Sequence, residues 1–465
     1  LSLPQFLQQG CRRAGGAVTA ACLLAWAGAG AAGTAVAEAW PVQVAQATPP
    51  ADAAAPARRT RAAAFRPTLK FGVEEFRAEA SALPDAPAGD TRFELLATPY
   101  VAWQPAREWE FRAGARLTAE HQSGGLADVE RARATLGDTW ARWRSGDTRL
   151  TAGWQTIVWG RVDEVPLIDR VSRVDLNRLV LDDLEQRRLP LPAVRAEHTM
   201  DAWRIDAVVL PRFDGAALPA PSSVWSPIDR LEGRLLGIEG DPTFAAFVRT
   251  ASLRRDDGGF GGAAVRLTRT GEPPADFGLT LGRVRQSLPY VVVDPLAGTL
   301  TTTHPMQRFV ALDAEVVAGD VTWRSELGYT PDQPMTALDG RRLDARAWEW
   351  VAAAEWFPGG KDVRVNVQLL ARSVRAGQPT LELDEYVALN GEVESTFAQG
   401  RWKFALRFNT ALNVSDHYLA PKLSYLGWEP HEVYVVLRSF GGEARTLGGF
   451  HRRHDTAAIG FKTRF

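Results

Sequence analysis

The side chains able to do chemistry are few and scattered. Seven histidines (His121, His198, His304, His417, His431, His451 and His454) are spread along 465 residues. The tightest pair lies in His451-Arg452-Arg453-His454. That spacing can hold a metal ion, but the two arginines between the rings oppose a cation. Neither a Gly-x-Ser-x-Gly elbow nor a His-Glu-x-x-His sequence occurs, so no hydrolase nucleophile or zinc-protease helix is marked. Asp182-Asp183-Leu184-Glu185 gathers carboxylates without the glycine of a tight calcium loop and reads as a solvated face. The only cysteines, Cys11 and Cys22, stand near the start, so the rest of the chain has no disulfide framework and no thiolate site. The expectation is therefore a protein that is not an enzyme, with no metal and no cofactor. With 54 basic and 55 acidic residues the net charge is -1, which excludes a strongly basic nucleic-acid binder. Arginine outnumbers lysine 49 to 5, and guanidinium groups suit contacts with anions.

The informative pattern is where those charges fall. From about Leu69 onward, segments of roughly ten residues alternate with period two between turn residues. Trp109, Phe111, Ala113, Ala115 and Leu117 face one way, and Glu110, Arg112, Arg116 and Thr118 the other. Val321, Trp323, Ser325 and Leu327 oppose Thr322, Arg324 and Glu326. Val363, Val365 and Val367 oppose Arg364, Asn366 and Gln368, and Phe404, Leu406 and Phe408 oppose Lys403 and Arg407. A soluble sandwich shares such alternation, so connection lengths must decide. Short links (105–107, 145–147, 200–201, 271–275, 318–319, 358–361, 399–400 and 429–430) alternate with longer ones (80–90, 121–127, 159–192, 212–259, 289–305, 331–344, 374–384, 414–420 and 441–454). That parity predicts 18 strands, within 16–20, closed as one antiparallel up-and-down transmembrane β-barrel over 69–465. The segment Thr243–Leu253 is the one place where a further strand is open.

Two further signs agree. Trp103, Trp109, Trp143, Trp203, Trp356, Trp402 and Trp428 all fall at strand ends beside short links, the level at which a membrane interface favours indoles. The chain ends on an alternating strand through Phe461 to a terminal Phe465, which resembles the signal read by the outer-membrane assembly machinery. At the other end, Arg12-Arg13 precede a small, apolar run to Ala37 with Ala35-Val36-Ala37 as a cleavage pattern. Residues 1–37 are expected to be a secretory signal peptide, the alternative being an uncleaved anchor. Residues 38–68, rich in Ala, Pro and Arg, are expected to be a flexible periplasmic segment.

A barrel of this size leaves a wide lumen unless something fills it. The segment 160–192 carries seven acidic and six basic residues. Leu176, Leu179, Val180 and Leu184 recur at helical spacing, with Asp175 as an N-cap, so a helical loop folded inward is expected. The candidates for a constriction are Asp163, Glu164, Asp169, Arg170, Arg173, Asp175 and Arg178 on that segment. Arg112, Arg116, Arg324, Arg364 and Arg407 face them from the wall. The apolar stretch Phe244–Val248 within 212–259 suggests a second lid or a partner surface.

Gly153-Trp154-Gln155, Trp159-Gly160, Asp163, Pro166, Asp169 and Asp175 resemble a motif of uncharacterised outer-membrane barrels of a domain-of-unknown-function family. A looser likeness extends to alginate-export-type porins. Gln155, Trp159 and Gly160 carry it best; Ser172-Arg173-Val174 stands where the pattern has Asn-Pro. The likeness covers roughly 150–290 by motif. It implies envelope transport, often alongside lipid-exporting systems, and names no substrate. The expected function is an outer-membrane channel or export portal of a Gram-negative bacterium, passing small polar or amphipathic solutes. The alternatives are a blocked barrel docking a lipid-exporting complex, or an outer-membrane hydrolase. The expected partners are outer-membrane lipids, the assembly machinery, and a periplasmic or inner-membrane export system, with no nucleic acid.

Overall fold

The computed structural model describes residues 65–256, 258–271, 275–360 and 362–465; the signal peptide expected over 1–37 and nearly all of the 38–68 segment lie outside them. Eighteen strands close into one antiparallel barrel. In chain order they are β1 (Thr68–Ala82), β2 (Thr91–Gln104), β3 (Trp109–Ser123), β4 (Val129–Leu136 and Thr139–Ser145), β5 (Thr148–Gln155) and β6 (Leu191–Met200). Then come β7 (Trp203–Leu210), β8 (Gly262–Arg269), β9 (Ala275–Arg285), β10 (Met306–Ala318), β11 (Val321–Thr336) and β12 (Arg342–Trp356). The last six are β13 (Val363–Arg375), β14 (Glu385–Phe397), β15 (Trp402–Ala411), β16 (Asp416–Trp428), β17 (His431–Gly442) and β18 (Thr456–Thr463). β4 is one strand in two halves, because Gly137 N–H donates to the Gly114 carbonyl (2.9 Å) and breaks its register against β3. Each strand pairs with its neighbours in sequence, and β18 closes on β1 from Phe76↔Thr463 to Ala82↔Ala457. Closure satisfies ladder groups that an open sheet would leave bare, which is what allows a sheet to cross a membrane.

The outer surface explains the alternation. Leu117, Leu281, Leu312, Val435 and Ile459 stand exposed mid-strand, as an apolar belt facing lipid requires. Trp103, Trp109, Trp203, Trp402 and Trp428 are exposed at the short-turn ends, on the same edge as the barrel's own two ends. Phe465 extends the closure, accepting from Val73 N–H (2.5 Å) and donating to the Val73 carbonyl (3.0 Å).

Three expectations change. The links expected over 331–344 and 414–420 are tight, because β11 runs on to Thr336 and β12 resumes at Arg342, while β15 and β16 leave only 412–415 between them. A bulge between Thr330 and Gln333, beside Pro331 and Pro334, masks β11's continuation. The segment Thr243–Leu253 is not a strand but a helix, Pro242–Thr250, with the Asp241 carboxylate accepting from Phe244 N–H (2.8 Å) and proline in the first turn. Between Asp175 and Leu184 no helix forms, because Leu179 takes a positive φ of 53°; one helical turn follows at Leu184–Arg187. Asp175 instead binds Asn177, at 2.9 Å through its backbone N–H and 2.6 Å through its amide.

The inner face divides by height. Toward the short turns it is charged and part-exposed, with cross-strand pairs such as Arg324 to Glu315 and Glu355 (2.7 Å each) and Lys422 to Glu432 (2.7 Å). Toward the long loops it is packed against folded loops, through apolar clusters and through buried charges such as Glu79, Arg92 and Arg438. Val208, Leu210, Phe309 and Ala311 pack against Ile157, Trp159, Ile168 and Val171 of the segment between β5 and β6. Tyr418, Val436 and Phe440 pack against Leu83, Leu181 and Trp225 from three different loops. Those stretches of strand are therefore apolar on both faces. Above this, Ser252–Asp256, Tyr290–Asp294 and Thr299–Thr303 form a small sheet over the helix Pro242–Thr250, with Val248 and Leu300 fully buried beneath.

Candidate functional site

The segment 156–190 enters the barrel and is tied to the wall on several sides. Glu326 on β11 is its firmest anchor. Its fully buried carboxylate accepts from the backbone N–H groups of Arg161 (2.5 Å), Leu167 (2.7 Å), Val162 (3.2 Å) and Ile168 (3.3 Å). A carboxylate accepting several amides replaces its lost hydration with fixed donors. Arg161 also pairs through Nε with Asp313 on β10 (2.5 Å).

A second anchor is ionic. Arg178 pairs with Glu79 on β1 (2.7 Å), with Glu94 on β2, and with Asp182 (3.0 Å). Glu79 also accepts from Arg438 (3.1 Å) and the Tyr434 hydroxyl (2.8 Å) on β17, and Arg77 reaches Asp182 (2.8 Å). Burial disfavours the Arg178 charge, but Asp182, Glu79 and Glu94 outweigh it and hold its pKa well above the ordinary value. Burial likewise opposes the Asp182 carboxylate, yet Arg178 and Arg77 hold it below the usual range. Removing one partner of such a set strands a buried charge.

The other sequence candidates sort cleanly. Glu164 receives Arg407 of β15 (2.7 Å), and Asp163 receives Arg364 (2.8 Å) and Asn366 of β13. Arg170 meets Glu349 on β12, and Asp175 meets Arg116 on β3 (2.8 Å). Asp169 accepts from Trp159 N–H (2.7 Å) and Gly160 N–H (2.6 Å) and pairs with Arg188, folding the segment on itself. Gly160 has no room for a side chain: a Cβ there would lie 2.4 Å from that of Pro166. The Trp159 indole donates to Asp206 on β7 (2.8 Å), and the Gln155 amide donates to the Ala193 carbonyl (3.0 Å), joining β5 to β6. Arg173 donates to the Gly215 carbonyl (2.6 Å).

Two candidates are not brought to the segment. Arg112 pairs with Glu74 and lies 4.2 Å over the Tyr100 ring, and Arg324 stays within the wall's own ion-pair row. Phe461 sits away from the lumen, 5.5 Å from the His431 ring and 6.3 Å from the Phe76 ring. Glu79, Asp182, Arg77 and Arg438 were not foreseen. The alternation Glu75-Phe76-Arg77-Ala78-Glu79 carries the signal for the first of these, in a strand that turn residues mark poorly.

Among the described residues, no group of three or more His, Cys, Asp or Glu side chains is arranged to hold a metal ion. Beneath the segment lies a largely charged vestibule, in which Leu181, Tyr418 and Tyr434 stand among Glu79, Arg178, Arg407 and Lys422. As a whole the arrangement is a wet, charged half-lumen capped by a folded segment whose ties are mostly ionic.

No curated protein matches the sequence. Among solved structures, the chain is similar to OccK2 (OpdF) of Pseudomonas aeruginosa in complex with glucuronate, at 12% identity and TM-score 0.49 over 85% of this chain and 98% of that one. OccK8 (OprE) of the same organism matches at 10% identity and TM-score 0.49, over 86% and 97%. OmpT, an outer membrane protein of Vibrio cholerae, matches at 10% identity and TM-score 0.42, over 86% and 100%. Residues 75–405 match the family described as "Protein of unknown function (DUF1302)", and the chain belongs to that family.

Proposed function

We propose that the chain is an outer-membrane channel of a Gram-negative envelope, gated by the segment 156–190 and passing small polar or amphipathic solutes. One observation carries this reading: the segment inside the barrel is held to the wall through ion pairs and a single carboxylate and is no part of the wall strands. Such ties can be exchanged for a solute's own charges or displaced by a partner, whereas a wall strand cannot leave without opening the sheet. The vestibule supports the amphipathic part, because it mixes Tyr418, Tyr434 and Leu181 with charged side chains such as Arg407, Lys422 and Lys462.

The test is conductance of the refolded barrel in a planar bilayer, compared with a variant lacking residues 163–188. The full chain is expected to conduct weakly or in brief openings, and the deletion variant steadily. A deletion variant that stays silent while keeping heat-modifiable migration would overturn the channel.

A further inference from the structure

The wall is incomplete at one point. The upper half of β4, Val129–Leu136, pairs only with β3, because β5 ends at Gln155 and reaches no higher than Thr139 of the lower half. Its second edge has no strand partner among the described residues. The lumen-facing side chains Arg133 and Thr135 are exposed, and so are the lipid-facing Ala132, Ala134 and Leu136. Mid-strand lumen-facing residues on the other strands are buried or half-buried beneath the inner segment. Leu136 at the end of this half-strand is exposed, as are Leu126 in the link before it and Val158 just after β5.

Directly inside the opening stands a group of guanidiniums from three elements. Arg173 donates to the Gly215 carbonyl (2.6 Å), Arg255 to Ala216 (2.5 Å), and Arg131 to Leu218 (3.2 Å). The carbonyl stretch is itself fixed, since Leu176 N–H donates to Ala217 (2.8 Å) and Ala217 N–H to Val174 (2.9 Å). Arg131 also has Glu120 at 3.4 Å, whereas no carboxylate among the described residues pairs with Arg133 or Arg173. Burial depresses the Arg173 and Arg255 guanidiniums; Asp214 and Asp175 offset this in part at Arg173, and Arg133 adds repulsion to both. A guanidinium has five donors in a planar fork, which fits a carboxylate or phosphate and is underused by a lone carbonyl.

We propose that this opening is a lateral portal for an amphipathic anion: Arg133 and Arg173 hold its carboxylate or phosphate head, and its apolar chain leaves between the free edge of β4 and residues 156–158 into the membrane. The proposal rests on the reading of the chain as an outer-membrane channel and names its cargo and exit. Charge complementarity inside and apolar side chains at the rim select this occupant over a purely polar solute.

The barrel carries no cysteine beyond Cys22, so a single thiol can report on the opening. Bimane is placed on Ala134→Cys, with Ala352→Cys on β12 as a lipid-facing reference, and quenched with 16-doxylstearate in nanodiscs. Saturable quenching is expected at 134, at roughly tenfold lower concentration than any half-quenching at 352. Arg133→Gln/Arg173→Gln is expected to weaken it about tenfold, and Arg133→Gln alone, at an exposed side chain outside any ion pair, about threefold. Doxyl-phosphatidylcholine should quench both positions alike. Equal, non-saturable stearate quenching at both positions overturns the portal, as does saturable quenching that neither variant changes. Competition by inorganic phosphate as effective as that by unlabelled stearate assigns the arginines to a free anion and overturns the lateral route. Conductance reads the pore separately: a conducting deletion variant without saturable quenching sinks the portal and leaves the channel, and saturable quenching in a silent barrel does the reverse.

Discussion

Glu326 receives four backbone N–H groups from residues that follow it in space but precede it by 158 to 165 positions in the chain. Glu326→Ala leaves those donors buried without a partner, at about 3 kcal/mol or more. The expected result is a barrel that still forms but whose inner segment detaches, so its conductance approaches that of the 163–188 deletion. A variant that conducts like the parent would show that the anchor does not govern closure. The inward side of Glu326 was legible from its alternation with Trp323, Ser325 and Leu327; its partners were not, because nothing local encodes a contact of that range. Asp163, Glu164 and Arg407 were legible as charges in the right places, whereas Asp182 reads as solvated because one of its arginine partners, Arg77, lies on β1 and the other, Arg178, turns to it only once the segment is folded.

At the same scale, the His451 and His454 rings face each other, Nδ1 to Nδ1 at 2.7 Å, buried against Trp225 with Phe450 and Arg234 nearby. Burial, then His454 and Arg234, holds His451 well below the ordinary histidine value. Burial and Arg234 hold His454 at about 4, against the opposite pull of Asp229. Both rings are neutral when the loop 443–455 is packed. Below about pH 6.5 the released loop takes up protons that the packed one refuses, so packing weakens as pH falls toward 4, by up to ~1.4 kcal/mol per pH unit per ring. Amide protection factors in 443–455, corrected for the intrinsic exchange rate at each pH, should therefore fall between pH 7 and pH 5, and His454→Phe should flatten that dependence. Equal protection at both pH values in the parent would refute it.

At the scale of elements, β18 joins two tasks. Its register with β1 closes the barrel, while the Phe465 ring is exposed and contributes little packing. Phe465→Ala should leave in-vitro refolding unchanged and lower the amount of folded barrel recovered from cells, if the ring serves recognition by the assembly machinery. Equal loss in both settings would instead assign it to stability. The segment's entry turn makes the opposite case. Gly160→Val drives a branched side chain into Pro166 and toward the Glu326 carboxylate on β11, and should loosen the turn, raising conductance more mildly than Glu326→Ala. Element parity was readable because turn residues and alternation are local. β11's full length was not, because a bulge shifts its inward set by one, and the helix Pro242–Thr250 was obscured because its short apolar run suits a strand as well.

For the whole molecule, the division into a part-solvated lower half and a loop-packed upper half follows from what each half meets. The lower half faces water, so its carboxylates and guanidiniums pair across strands and stay part-solvated. The upper half meets loops that need a core, and it supplies one. Alternation scoring cannot see this, because a strand apolar on both faces looks like a soluble core strand. The small upper sheet should behave as a unit of its own. Proteolysis at the fully exposed Leu296, in the link between Tyr290–Asp294 and Thr299–Thr303, should nick the chain yet leave the barrel's heat-modifiable migration intact. Loss of that migration on nicking would mean that the sheet holds the wall in place.

The wall is also uneven in height. β5, β7 and β8 have eight residues each, whereas β11 and β12 have sixteen and fifteen. At ~3.3 Å per residue and a tilt near 40°, eight residues rise only ~20 Å, short of the ~25 Å apolar band of an outer-membrane barrel. Lipids beside β5, β7 and β8 must therefore shorten or lean, and the bilayer is pinched on that flank. A second barrel set flank to flank would share one pinch instead of making two, so the membrane itself supplies an attraction between neighbouring molecules along their low sides.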